Sequence, residues 1–158
     1  LAGTGPAEVD LKTLAVKLGV RATIGRVTDD QLHDLYAAAD VFVQCSRVEL
    51  EGMSALEAMA AGCPTLLNRT ETSALSELIQ DPLGAFTDEA PNILTQKLDA
   101  LLSNPDARQF LTDRNQAFAL TRRHEDSAVQ LANLYRHTLL GESNFVDGTR
   151  VATDRQAS

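Results

Sequence analysis

The sequence predicts an α/β domain built on a Rossmann-like parallel sheet, and two observations carry that prediction. Residues 40–46 and 64–68 are short apolar runs bounded by polar residues, the pattern of strands buried in a sheet. Between them lies a single short helical stretch, so strand, loop, helix and strand follow one another as a parallel crossover unit. In such a unit the loop and the helix N-terminus lie at the carboxyl edge of the sheet, where these folds bind ligands. A third observation bounds the answer: 158 residues make one domain at most, with enough chain to bury a core.

Taken in order, Leu1-Ala2-Gly3 reads as the end of a strand, after which Gly5-Pro6 turns into a helix through about Leu18. Val9, Leu11, Leu14, Ala15 and Leu18 form its expected core face. Gly19 ends that helix, residues 20–24 read as a strand, and Gly25-Arg26-Val27-Thr28 leads into a second helix with Asp29 and Asp30 at its positive end. Leu32, Leu35, Tyr36 and Ala39 are expected to face the core.

The central helix has clear punctuation. Ser54 reads as an N-cap and Glu57, three residues on, as its capping-box partner. Ala58, Met59, Ala60 and Ala61 are strong helix formers, Gly62 suits the left-handed residue past the end, and Pro64 forbids continuation. Residues 73–80 then read as a helix and 84–87 as a weak strand. From residue 90 to 141 only helical periods remain, at 92–102, 105–120 and 127–140. Val129, Leu131, Ala132, Leu134, Tyr135 and Leu139 make an apolar face on the last of them, and this face needs a partner. Residues 142–158 are polar and irregular, which predicts a disordered tail behind a domain of residues 1–141.

Charge narrows the partners. A formal net charge of -8 argues against nucleic acid and against a polybasic membrane patch. It does not exclude an anionic ligand, because a nest of backbone amides binds phosphate in an acidic protein. Cys45 and Cys63 sit in apolar strand contexts, with no signal-like or membrane-length apolar run, and read as reduced core thiols of a cytosolic protein. No CxxC and no His/Cys cluster points to a metal.

The candidate site is the loop and helix start at residues 46–64. Glu49 in the loop and Glu57 in the helix flank backbone N–H groups, with Glu51 beside them, so an anion can use the amides and a polyol the carboxylates. The bland readings are a solvated loop acid for Glu49 and a capping box for Glu57. Arg26 lies at a strand's carboxyl end beside the same crevice and is either a surface residue or a contact to a nucleobase or phosphate. His33, His124 and His137 fall on amphipathic helices and read as solvated.

Glu49 and Glu57 are separated by seven residues, and the second lies in the run Leu56-Glu57-Ala58-Met59-Ala60-Ala61-Gly62-Cys63-Pro64. This resembles the E-x7-E signature of retaining GT-B glycosyltransferases of the glycogen-synthase-like and mannosyltransferase-like group. The segment 32–40, with Leu35-Tyr36 and Ala39-Asp40, and the turn Gly3-Thr4-Gly5-Pro6 are similar to further parts of that pattern. The likeness runs from about Ala2 to Leu140, along the family's C-terminal domain. Two departures stand out: Leu50-Glu51-Gly52 where the family has Gly-Phe-Gly, and Ser73-Ala74 where it has a glycine pair.

The resemblance implies a nucleotide-sugar-binding domain of a retaining glycosyltransferase, acting on a glycan, lipid or small-molecule acceptor. Glu49 would be the catalytic residue, holding hydroxyls of the transferred sugar, and Glu57 would hold the donor's ribose. The amides of Gly52, Met53, Ser54 and Ala55 would bind the diphosphate, with Arg26 and Val27 also on the donor. The donor would be a UDP- or GDP-sugar, and neither metal nor cofactor would be needed. The family's first βα unit, its basic diphosphate ligands and its acceptor half have no counterpart in these residues. The expectation is therefore a partial chain, inactive alone, with a gap beside the strand at 41–45. It is expected in the cytoplasm, or peripherally on a membrane through the other half. A GT-B sugar-nucleotide epimerase, a standalone flavodoxin-like nucleotide module and a non-catalytic interaction domain remain as alternatives.

Overall fold

A computed structural model describes residues 1–88 and 91–140; the tail expected at 142–158 lies outside the described residues. Helix α1 spans Glu8–Lys17 and α2 spans Asp29–Ala38. Then follow β1 (Phe42–Gln44), α3 (Met53–Ala60), β2 (Thr65–Asn68), α4 (Leu75–Leu78) and β3 (Ala85–Phe86). Three helices close the described chain: α5 (Pro91–Leu102), α6 (Pro105–Ala119) and α7 (His124–Leu140). The three strands form a parallel sheet in the order β1-β2-β3, with Phe42 opposite Thr65 and Leu67 opposite Ala85. This is the expected Rossmann-like arrangement, with β1–α3–β2 as the crossover unit.

The centre of the core is β2, all four of whose residues are buried. Its side chains alternate between two faces. Leu67 joins Ala55 and Met59 of α3 and Leu75 and Leu78 of α4, whereas Leu66 joins Phe86 of β3, Leu101 of α5 and Leu111 of α6. A strand covered on both faces has no polar alternation, which is why this one reads as a continuous apolar run. Two buried polar side chains pair across the helix–strand contact, Asn115 Nδ2 donating to Thr65 Oγ1 at 3.0 Å. That bond lets α6 lie against the sheet without an unsatisfied amide.

The N-terminal part departs from expectation. Residues 20–24 do not form a strand, and the Leu1 stretch makes only a single parallel bridge, Ala2 with Gly25. Two backbone bonds hold it, Gly3 N–H to Gly25 O at 2.8 Å and Gly25 N–H to Leu1 O at 3.2 Å. One bridge gives too few ladder bonds to fix an extended strand. The face of α1 expected in the core is largely exposed, Val9, Leu11, Leu14 and Leu18 among it. On α2 only Tyr36 is buried, while Leu35 is exposed and Leu32 half-buried; Ala39, just past the helix, is exposed. Strand β1 lies at the edge of the described sheet, and its residues are half-buried where those of β2 are buried.

Helix α2 opens on a full capping box, Thr28 and Gln31 bonding reciprocally, a signal the acidic Asp29 and Asp30 obscured in the sequence. The helix expected over 73–80 shrinks to the single turn Leu75–Leu78. Cys45, expected in the core, is exposed because the strand ends one residue before it. Cys63 is buried, its Sγ within 3.6 Å of the carbonyls of Ala39 and Pro64, and burial pushes its thiol up to about 11. Helix α7 belongs to a second unit that begins at Leu120, and its apolar positions Val129, Leu131, Leu134, Tyr135 and Leu139 are exposed.

The contrast between β2 and α1 is testable. Leu67→Ala, at a fully buried position, is expected to cost ~2–5 kcal/mol in denaturant unfolding. Leu14→Ala on the exposed side of α1 is expected to stay within ~0.5 kcal/mol. Equal losses at the two positions would mean that α1 is packed in solution.

Candidate functional site

The site forms where the chain leaves β1 and enters α3. Gly52 stands at the helix start in a left-handed conformation, φ 71° and ψ 35°, and its carbonyl accepts from Ala55 N–H at 2.9 Å and Leu56 N–H at 3.1 Å. A Cβ at this position would lie 2.7 Å from Leu78 Cδ1 and 3.0 Å from Leu75 Cδ2. Both the backbone angle and the room therefore demand glycine, and the turn that aims the helix is locked against the core.

This turn overturns the capping box expected from Ser54 and Glu57. Because the helix begins at Met53, Ser54 is already its second residue, and the N-cap residue, Gly52, has no side chain to cap α3. Glu57, five positions in, is too far along to reach the helix start. The role falls to Glu49 instead. Its Oε1 accepts from the N–H of Leu50 at 3.1 Å and of Gly52 at 3.3 Å, and its Oε2 accepts from Gln44 Nε2 at 2.9 Å. A negative group fits there because the amides of a helix start carry partial positive charge. The Glu49 backbone is also held, pairing with Ser73 in a parallel bridge while its carbonyl accepts from Ala74 N–H at 2.9 Å.

Of the four amides expected to face an anion, two are already used. Gly52 N–H bonds Glu49 and Ala55 N–H bonds the Gly52 carbonyl, which leaves those of Met53 and Ser54 without a protein partner among the described residues. The Ser54 hydroxyl donates to Gln44 Oε1 at 3.3 Å. One turn further on, Glu57 is exposed and its Oε2 accepts from the Tyr36 hydroxyl at 3.2 Å. Tyr36 itself is buried, packed edge-on to Phe42 with ring centroids 5.7 Å apart. Burial first, and then the Glu57 charge and the hydrogen bond to it, push the phenol up to about 12.

Arg26 is exposed, Val27 half-buried, and with Thr28, Asp29 and Gln31 they line a groove at the N-terminal end of α2. Tyr36, on the same helix, lies about 12 Å along the axis from Thr28 at 1.5 Å per residue. Glu51 is exposed. Gln44 and Tyr36, which hold Glu49 and Glu57, escaped the sequence reading: one sits in a strand and the other on an apolar helix face. No group of three or more His, Cys, Asp or Glu side chains that could hold a metal occurs among the described residues.

A parallel sheet with a loop–helix ligand edge and paired glutamates defines a class, and the solved structures that superpose on this chain give it a name: the GT-B glycosyltransferase domain. The catalytic domain of cholesterol-α-glucosyltransferase from Helicobacter pylori aligns with TM-score 0.73 and 29% identity, over 78% of this chain and 77% of that one. Sucrose-phosphate synthase from Thermosynechococcus elongatus aligns with TM-score 0.75 over 89% of this chain and 38% of that one, and at 22% identity it supports the fold alone. The chain belongs to the family "Glycosyl transferases group 1", whose profile matches residues 1–118. Among characterised relatives, a GDP-mannose-dependent α-(1-6)-phosphatidylinositol dimannoside mannosyltransferase of Mycobacterium tuberculosis is 32% identical over 77% of this chain. An α-monoglucosyldiacylglycerol synthase of Streptococcus pneumoniae is 30% identical over 69% of it. The chain spans 31% and 25% of the length of these two relatives.

The Tyr36–Glu57 pair makes a spectroscopic prediction. Tyr36 is neutral in the fold up to about pH 12 and unfolded tyrosine ionises near 10, so its contribution to stability is full below pH 10 and is lost as pH rises toward 12. Tyrosinate absorbance should show a late step that Tyr36→Phe deletes. In Glu57→Gln that step should move down, yet stay above 10 because burial, the larger cause, remains.

Proposed function

We propose that this chain is the donor-binding part of a retaining glycosyltransferase that takes a hexose from a UDP- or GDP-sugar. The observation that carries the reading is the pair of held carboxylates either side of two unpartnered helix-start amides. A carboxylate has about four acceptor positions. Glu57 spends one on Tyr36, which leaves enough for both hydroxyls of a ribose. Glu49 spends three, which leaves one, so it suits a single sugar hydroxyl at a fixed place. The Met53 and Ser54 amides between them suit a diphosphate, whose charge grows as the sugar departs.

In this reading Glu49 touches the transferred sugar and is the catalytic residue, Glu57 holds ribose, and the α3 start stabilises the leaving diphosphate. Gly52 and Ala55 serve by shaping that turn, their own amides being engaged. The groove at Arg26 and Val27 takes the far end of the donor. Neither metal nor cofactor takes part. Transfer requires a further half of the enzyme that carries the acceptor, so residues 1–158 alone are expected to bind nucleotide weakly and to transfer nothing. The relatives whose names specify phosphatidylinositol dimannoside, glucosyldiacylglycerol and cholesterol favour a lipid-linked acceptor and a cytoplasmic enzyme working at a membrane surface. No helix among the described residues is long and apolar enough to cross a membrane.

In the full-length enzyme, Glu57→Gln should weaken UDP or GDP binding by about 10- to 100-fold, the worth of a charged hydrogen bond, while the Tyr36 hydroxyl keeps an acceptor and folding is retained. Glu49→Gln should lower turnover while the free nucleotide binds as before. Calorimetric titration separates the two roles. Unchanged nucleotide affinity in Glu57→Gln removes the ribose assignment, and full turnover in Glu49→Gln removes the sugar assignment.

A further inference from the structure

Gln44 ends β1 directly beneath the α3 turn, and every polar atom of its side chain is engaged. Nε2 donates to Glu49 Oε2 at 2.9 Å and lies 3.5 Å from Ser46 Oγ, while Oε1 accepts from the Ser54 hydroxyl at 3.3 Å. The amide orientation follows from chemistry: a carboxylate only accepts, so the nitrogen faces Glu49 and the oxygen is left to Ser54. Of the three bonds that orient Glu49, two come from backbone amides of its own loop and one from outside it. Only the outside bond fixes the carboxylate relative to the sheet. The loop's backbone is held from elsewhere, Glu49 pairing with Ser73 and the Arg47 carbonyl accepting from the Thr70 and Thr72 hydroxyls, while Val48 and Leu50 are exposed.

We propose that Gln44 is the positioning residue for Glu49, and that it ties Glu49 to the Ser54 hydroxyl so that the sugar and diphosphate subsites are aligned as one unit. The proposal rests on the donor-site reading above. Ser54 follows Met53 at the helix start, so its hydroxyl borders the two unpartnered amides. The single Ser54 proton is given either to Gln44 or to a phosphate oxygen. While it is given to Gln44, the amide is held square to Glu49. A sugar hydroxyl bound by the one remaining acceptor of Glu49 is then placed by a chain of bonds that starts at β1. Loss of that chain leaves Glu49 in place on two amides but free to pivot about them, and a misaligned group of this kind costs rate more than binding.

The test uses Gln44→Met, which keeps length and removes the amide, in the full-length enzyme and in the Glu49→Gln background. In the wild-type background kcat should fall by about 10- to 100-fold. Free UDP or GDP affinity should stay within about twofold, and thermal unfolding should show a folded protein. In the Glu49→Gln background the same substitution should lower kcat no further, because its effect runs through Glu49. Gln44→Asn, too short to reach both partners, should give an intermediate loss. If Glu49→Gln reduces turnover but Gln44→Met does not, the positioning role is wrong and the donor-site reading stands. Equal losses from Gln44→Met with and without Glu49 also overturn it. Full turnover in Glu49→Gln removes the sugar assignment of Glu49, and the proposal with it.

Discussion

The turn at Gly52 depends on one electrostatic arrangement, the Glu49 carboxylate set against the amides of its own loop and of the α3 start. Without it, the N–H groups of Leu50 and Gly52 would lose their acceptor, and the chain between β1 and α3 would have less reason to hold one shape. With it, the left-handed glycine is satisfied, Leu75 and Leu78 close over the turn, and α3 leaves at a fixed angle to the sheet. A carboxylate that stabilises the fold in this way is also presented in one orientation. Structure and candidate chemistry are thus carried by the same group at Glu49.

Support for that turn comes from two layers. Below it, β2 is buried on both faces and anchors α3 through Ala55 and Met59 on one side and α5 and α6 through Leu66 on the other. Beside it, Tyr36 of α2 brings a buried phenol to Glu57, with Phe42 of β1 packed against its ring. Each glutamate thereby has a neutral donor from a neighbouring element, Gln44 for one and Tyr36 for the other. Neutral donors orient a carboxylate without cancelling its charge, which a lysine or arginine would do.

The sequence was most legible where one periodicity dominated. The apolar run at 64–68, the small-residue helix and its Gly62 stop, and the three closing helices all appear within a few residues of their expected bounds. It was least legible where a local rule competed with a tertiary contact. Ser54 and Glu57 match a capping box in spacing, but Gly52 moves the helix start forward and gives the cap to a residue outside the helix, which no window of the sequence reveals. The face of α1 and the strand at 20–24 failed for another reason: apolar periodicity reports a need for burial, and among the described residues little covers them. The pair Glu49 and Glu57 was visible in the spacing, whereas the residues that hold them lie five and twenty-one positions away and depend on the sheet for their proximity.

Helix α3 is held at both ends. At its start, Gly52 is pressed against Leu75 and Leu78; past its end, Gly62 adopts φ 82°, a left-handed conformation that favours glycine, and its carbonyl accepts from Thr112 Oγ1 at 3.1 Å. Between these two clamps every residue has a fixed azimuth, since each position turns the helix by about 100°. A point substitution on the outer side is absorbed locally. An inserted or deleted residue is not: it swings everything downstream by that angle, carries Glu57 off Tyr36 and drives Met59 out of the core in the same motion. The segment from Gly52 to Gly62 is therefore a fixed-length ruler, open to change in composition and closed to change in length.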